Sequence, residues 1–203
     1  MSAAPAPEGP AARSPRAAGI RLVLGLAVLM WALEVLDSLL DHRLDQYGIE
    51  PRDADGLVGV VAAPFLHAGF DHLASNTVPF VLLGIVIALQ GLARVAIVTV
   101  VVALVSGLGT WLVAPELSIH IGASGVVFGY ASYLISRGFF NRSALELAVG
   151  AVVAVVYGSA LLGGLVPEDG VSWQGHFFGA VGGLVAARML MRERSGEPVE
   201  RVA

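Results

Sequence analysis

Four polar side chains in an otherwise apolar chain could do chemistry together: Ser124, His176, His72 and Asn76. A serine hydroxyl is a poor nucleophile by itself. A hydrogen-bonded imidazole can take its proton, which makes a Ser–His pair competent for acyl transfer. Ser124 lies in HIGASGVVFGY, among glycines and just ahead of an apolar run. If that run is a helix, Ser124 stands at its start, where unpaired backbone N–H groups and the positive dipole end favour an oxyanion. His72 and Asn76, in HLASNTVPF, are four residues apart and share one helical face, from which both can donate to the same oxygen. His176, in WQGHFFG, flanks a row of glycines, Gly175, Gly179 and Gly183, and Gly125 and Gly129 repeat that spacing on the Ser124 segment. Small residues four apart let helices approach closely, so packing these two segments together would bring the imidazole to the hydroxyl.

Each residue also has a plainer reading. Ser124 could be a small residue at a helix contact, His176 an interfacial residue, Asn76 a cross-link between helices and His72 a loop holder. His120, four residues before Ser124, is a rival base or a loop residue near the mouth. No acid is an obvious third member, since Glu34 and Glu146 fall at other depths; a dyad follows, with less orientation of the imidazole than a triad gives. GASGV lacks the second glycine of G-x-S-x-G, so the nucleophile elbow of soluble hydrolases does not fit.

The elements that must position these groups are membrane helices. Of 203 residues, 56% are hydrophobic and 14% charged, against about 25% charged in a soluble domain. Six apolar segments approach the roughly 20 residues that span a bilayer: about 20–40, 72–90, 95–113, 124–140, 144–165 and 173–190. A shorter apolar piece, 57–66, cannot span. The expected fold class is an all-α polytopic membrane protein with six transmembrane helices over 20–190, between a disordered Ala/Pro-rich tail, 1–19, and a polar tail, 191–203. The chain has no cysteine, which excludes disulfides, thiolate metal sites and a Cys nucleophile. No cluster of metal ligands and no cofactor is inferred, and a net charge of −4 gives no reason to expect nucleic-acid binding. All 12 basic residues are Arg, which with the Ala, Gly and Val excess points to a GC-rich bacterial genome.

Threading the six segments alternately puts Arg13, Arg16, Arg21, Arg94, Arg137, Arg142, Arg188, Arg192, Arg194 and Arg201 on one side, with only Arg43 and Arg52 on the other. By the positive-inside rule both termini are cytoplasmic. The second, fourth and sixth segments then run from outside to inside, and His72, Asn76, Ser124 and His176 lie level below the outer surface. Trp111 and Trp173 read as interfacial anchors at the outer ends.

In FLHAGFDHLASN, GASG and GHFFGAVGG the chain resembles the rhomboid family of intramembrane serine proteases, whose H-x-x-x-N, G-x-S-x and H-x-x-G-x-x-x-G patterns occur here in order over about 56–190. The resemblance implies a six-helix core in the plasma membrane, Ser124 as nucleophile, His176 as general base, and His72, Asn76 and the Ser124 backbone as the oxyanion site. It implies supporting roles for Gly122 as the glycine of G-x-S, for Gly179 in the glycine row, and for His67 as a structural histidine. It implies substrates that are transmembrane segments of membrane proteins, cut near their outer ends. Phe128 stands where a Tyr packing on the catalytic His is usual; the ring is kept and the hydroxyl lost. The loop after the first segment, YGIEPRDADG, lacks the family's Trp-Arg pair, and the fifth segment, flanked by YGSALLGG, is a candidate lateral gate by analogy.

Two other functions compete. A non-proteolytic relative that binds transmembrane clients would be expected to lack the Ser or the His, and both are present. A transporter or channel would line a path through the whole bilayer, whereas the inner halves of these segments are nearly all aliphatic.

Overall fold

Seven α-helices carry the described part of the chain, residues 14–191, in a computed structural model. Six are long: α1 (Pro15–Leu39), α3 (Phe70–Ala88), α4 (Leu92–Val113), α5 (Ser124–Asn141), α6 (Ala144–Gly163) and α7 (Trp173–Met189). The short α2 (Gly59–Ala62) lies between 3-10 turns at Asp55–Val58 and Ala63–Phe65, so the 57–66 piece is a broken helix that does not span. Among the described residues the only β pairing is a bridge between Ile49 and His120. The expected tails lie outside the described residues except at 14–19 and 191. Helix α1 starts at Pro15, before the apolar run, because proline's fixed φ suits a first helical position whose N–H would be unpaired anyway.

The long helices match the six expected segments to within a few residues, and the protein is a multi-pass membrane protein. Helices α1, α3, α4 and α6 are long and apolar enough to cross a membrane. Helices α5 and α7 have 18 and 17 residues and are poorer in large apolar side chains. Their position explains this. Helix α5 packs against α3, α4, α6 and α7, and α7 against α4 and α5, so these two face protein more than lipid. Tyr130, Tyr133 and Leu134 of α5 are fully buried at the centre, with the Tyr130 hydroxyl 2.6 Å from Thr99 Oγ1 and its ring stacked on Phe80.

The loop after α1 is ordered by docking rather than by a Trp-Arg pair. Arg52 donates to the carbonyls of Leu112 and Ala114 and pairs with Glu116 at 3.1 Å, which satisfies orphan carbonyls at the end of α4. Trp111, expected as an interfacial anchor, also donates its indole N–H to the Asp53 carbonyl at 2.7 Å.

Candidate active site

Ser124 opens α5 and His176 lies one turn into α7. The Ser124 Oγ stands 2.8 Å from His176 Nε2. The other ring nitrogen, Nδ1, lies 2.7 Å from the Gly164 carbonyl oxygen. A carbonyl only accepts, so in the neutral ring Nδ1 carries the proton and Nε2 keeps a lone pair. The serine hydroxyl therefore donates to Nε2, the direction that proton abstraction needs. Phe128 lies flat on the imidazole, with ring centroids 4.1 Å apart and planes 6° apart. The expected ring packing is present without the hydroxyl.

The glycine rows set this distance. A Cβ on Gly179 would overlap the Gly125 carbonyl, and one on Gly183 would overlap the Gly129 carbonyl. Helices α5 and α7 thus touch backbone to backbone. Ser106 of α4 adds a hydrogen bond of 2.8 Å to the Gly175 carbonyl at the start of α7.

Helix α3 forms the other wall. Gly122 has φ +117°, open to glycine alone, and a Cβ there would stand 2.8 Å from His72 Cε1 and 3.0 Å from Nε2. The His72 ring therefore lies against the turn that leads into Ser124. His72 Nδ1 accepts the Ala68 N–H at 3.3 Å, which leaves the proton on Nε2, the nitrogen nearer that turn. Asn76 is buried and gives one amide hydrogen to the His72 carbonyl at 2.9 Å; it bonds within its own helix rather than across helices. Fully buried His67 accepts the Ala123 N–H at 3.3 Å through Nε2, tying down the first residue ahead of Ser124. Burial, aided by nearby His72, lowers its pKa to about 4, so His67 stays neutral and can accept.

His120 is held away from the base position: its two ring nitrogens bond to Ser118 at 2.9 Å and Ser172 at 2.8 Å. Burial lowers its pKa below the usual histidine value. Glu146 pairs with Arg137 and Asn141 near the other end of α5. Neither Glu34 nor Glu146 lines the cleft of about 810 Å³ onto which Ser124, His176, His72 and Asn76 open. The cleft lies between α3 and α6, with Pro79 and Leu83 on one wall and Tyr157 and Leu161 on the other. Helix α6 packs chiefly on α5.

Sequence reasoning missed Gly164, whose carbonyl orients the imidazole and whose missing side chain leaves room for it. A Cβ there would stand 2.9 Å from His176 Nδ1 and 2.6 Å from Phe128 Cζ. The only signal was a glycine pair closing an apolar segment, which reads as a helix end. Ser106 and Ser172 were also missed, since serines in apolar helices and at helix starts are common.

The geometry can be set beside known proteins. The model of the rhomboid domain matches residues 54–193. An uncharacterized protein of Mycobacterium tuberculosis, Rv1337, is 43% identical over 188 residues, covering 88% of this chain and 78% of its own. One of Mycobacterium leprae, ML1171, is 41% identical over 177 residues, covering 83% and 70%. A Bacillus subtilis protein, YdcA, whose name assigns it provisionally to the rhomboid proteases, is 24% identical over 179 residues, covering 86% and 89%.

Proposed function

Because the chain belongs to the rhomboid family, we propose that it is an intramembrane serine endopeptidase that cleaves transmembrane segments of membrane proteins near their outer ends. The observation that carries this reading is the hydrogen bond from Ser124 Oγ to the unprotonated Nε2 of His176. In this reading Ser124 Oγ attacks the scissile carbonyl carbon and its proton passes to Nε2. The Ser124 backbone N–H and the His72 Nε2–H receive the oxyanion, with the remaining Asn76 amide hydrogen as a third donor. His176 then gives its proton to the leaving amine as the C–N bond breaks. Water, deprotonated by the same nitrogen, hydrolyses the acyl ester and restores Ser124.

The cleft between α3 and α6 suits a substrate arriving from the lipid, and α6, packed chiefly on α5, is the side that yields. Arg16, Arg21, Arg94, Arg142 and Arg188 lie at the ends of α1, α3, α4, α5, α6 and α7 remote from Ser124. The positive-inside rule then puts the site toward the outer face of a plasma membrane, with both termini cytoplasmic. Residues 20–190 form the working domain.

The test is cleavage of a model transmembrane substrate by purified protein in detergent. Wild type is expected to cut; Ser124→Ala and His176→Ala are expected to lose activity. Both variants cutting as fast as wild type would refute the dyad. Fluorophosphonate labelling of wild type but not of Ser124→Ala supports it independently.

A further inference from the structure

We propose that His120 is a positioning residue for the Ser124–His176 pair: through Ser172 it fixes the first turn of α7, on which His176 stands. The proposal rests on the protease reading above and assigns a role that the dyad does not require.

For a neutral imidazole the hydrogen-bond chain has one possible proton order. Ser118 Oγ lies 2.6 Å from the Pro115 carbonyl, which can only accept, so the single Ser118 hydroxyl proton points there. His120 Nε2, 2.9 Å from Ser118 Oγ, must therefore be the donor in that contact. That makes His120 the neutral Nε2–H tautomer, with a lone pair on Nδ1. Nδ1 accepts the Ser172 hydroxyl proton at 2.8 Å. Ser172 Oγ, with its proton so placed, accepts the Gly175 N–H as the N-cap of α7, and its carbonyl accepts the His176 N–H at 3.1 Å. Every donor in the chain is used once, and both ring nitrogens are committed to serines.

The anchor at the far end is independent of α7. His120 is paired through its own N–H and carbonyl with Ile49, at 3.0 and 2.9 Å, in the loop after α1. The ring thus couples a pinned strand-like segment to the cap of the helix that carries His176. Further along α7 the position is set by Gly179 against Gly125, and by Ser106 on Gly175. Losing His120 should therefore loosen the first turn without separating the helices. The expected result is a lower rate with substrate binding intact.

The experiment compares kcat and KM, normalised to active sites titrated with a fluorophosphonate, for wild type, His120→Ala, His120→Gln, His120→Asn, Ser172→Ala and the His120→Ala/Ser172→Ala double variant. His120→Ala should lower kcat about tenfold, the scale of one positioning hydrogen bond, with KM within about twofold. Asn sets its amide oxygen near the place of Nδ1 and should recover most of the rate; Gln reproduces only the distal donor and should not. The double variant should be no slower than Ser172→Ala alone, because both remove one link. A wild-type kcat in His120→Ala, equal rescue by Gln and Asn, or additive losses would each overturn the proposal. If His120→Ala does not fold, the contrast of Asn with Gln still decides. A wild-type protein that neither cuts nor labels would overturn the protease reading itself; an active wild type with indifferent His120 variants overturns only the role of His120.

Discussion

Replacing Gly164 by alanine should disable the protein by moving one ring. The backbone there has φ −69° and ψ −8°, which alanine adopts freely, so any effect is steric. The added Cβ would stand 2.9 Å from His176 Nδ1 and 2.6 Å from Phe128 Cζ, where ordinary contact begins at 3.4 Å. The two rings are stacked at 4.1 Å and cannot yield separately. To restore ordinary contact at 3.4 Å the stacked rings must shift by roughly 0.8 Å, set by Phe128 Cζ, or the α6 end must back away and take the Gly164 carbonyl with it. Either breaks the alignment of Nε2 with Ser124 Oγ. Since about 1 Å of misplacement can cost 10²-fold in rate, kcat should fall about 10- to 100-fold with KM little changed. Overpacking should also lower stability, by about 1–3 kcal/mol. The adjacent Gly163 is the control: a Cβ there meets nothing within 4 Å, so Gly163→Ala should cleave like wild type. The assay is turnover per fluorophosphonate-titrated site, beside a melting curve for each variant. If Gly164→Ala and Gly163→Ala turn over alike, the imidazole is not held as described.

The remaining predictions probe other supports of the site. Phe128→Ala should lower kcat about tenfold by removing the face on which His176 rests, while Phe128→Tyr should leave kcat within about twofold; steady-state kinetics separates them. Gly179→Ala should destabilise the bundle by about 1–3 kcal/mol, because its Cβ would overlap the Gly125 carbonyl. Gly25→Ala, with nothing within 4 Å, should be neutral or mildly stabilising, and thermal unfolding in detergent compares the two. Burial, then the Asp37 and Glu34 carboxylates, raise the Asp45 pKa from 3.8 to about 6, with His42 opposing. A raised folded-state pKa favours the folded protein fully below pH 3.8, and the benefit is lost as pH rises through about 6. Asp45→Asn should therefore raise the melting temperature at pH 7 and do much less at pH 4; an equal gain at both would refute the shift.

The helices were legible because each long apolar run is bounded by polar or glycine-rich turns, and the spans 72–90 and 124–140 land within a few residues of α3 and α5. The nearness of Ser124 and His176 was legible for a related reason. Alternate threading of the segments puts their corresponding ends level, and glycine rows indicate which faces touch. What stayed hidden is carried by the backbone. The Gly164 carbonyl orients the imidazole, and a carbonyl has no residue type to be read. The path of the loop after α1 depends on Arg52 finding the carbonyls at the end of α4, a contact between segments about 60 residues apart. The start of α1 at Pro15 was missed because the periodicity begins only where the apolar run does.

Among the described residues no carboxylate lines the cleft beside His176. At the depth proposed for the pair, a carboxylate in the third position would have to stay ionised within the bundle, and an ion there costs several kcal/mol unless it is paired and wetted. A backbone carbonyl at the end of α6 needs no such compensation. The last carbonyls of a helix have no partner within it, and the Gly164 carbonyl is aimed at Nδ1 at 2.7 Å. It fixes the tautomer and the ring plane, two of the services a triad acid performs. What it supplies weakly is charge to stabilise the imidazolium formed when Ser124 is deprotonated. On the proposed mechanism, that charge is met by the Phe128 ring stacked on the imidazole face and by the helix C-terminal dipole of α6. Both are smaller than an ion pair, so the dyad should turn over more slowly than a triad of equal geometry. It should also depend more steeply on the placement of α6, the helix whose end carries the orienting carbonyl and whose side borders the cleft.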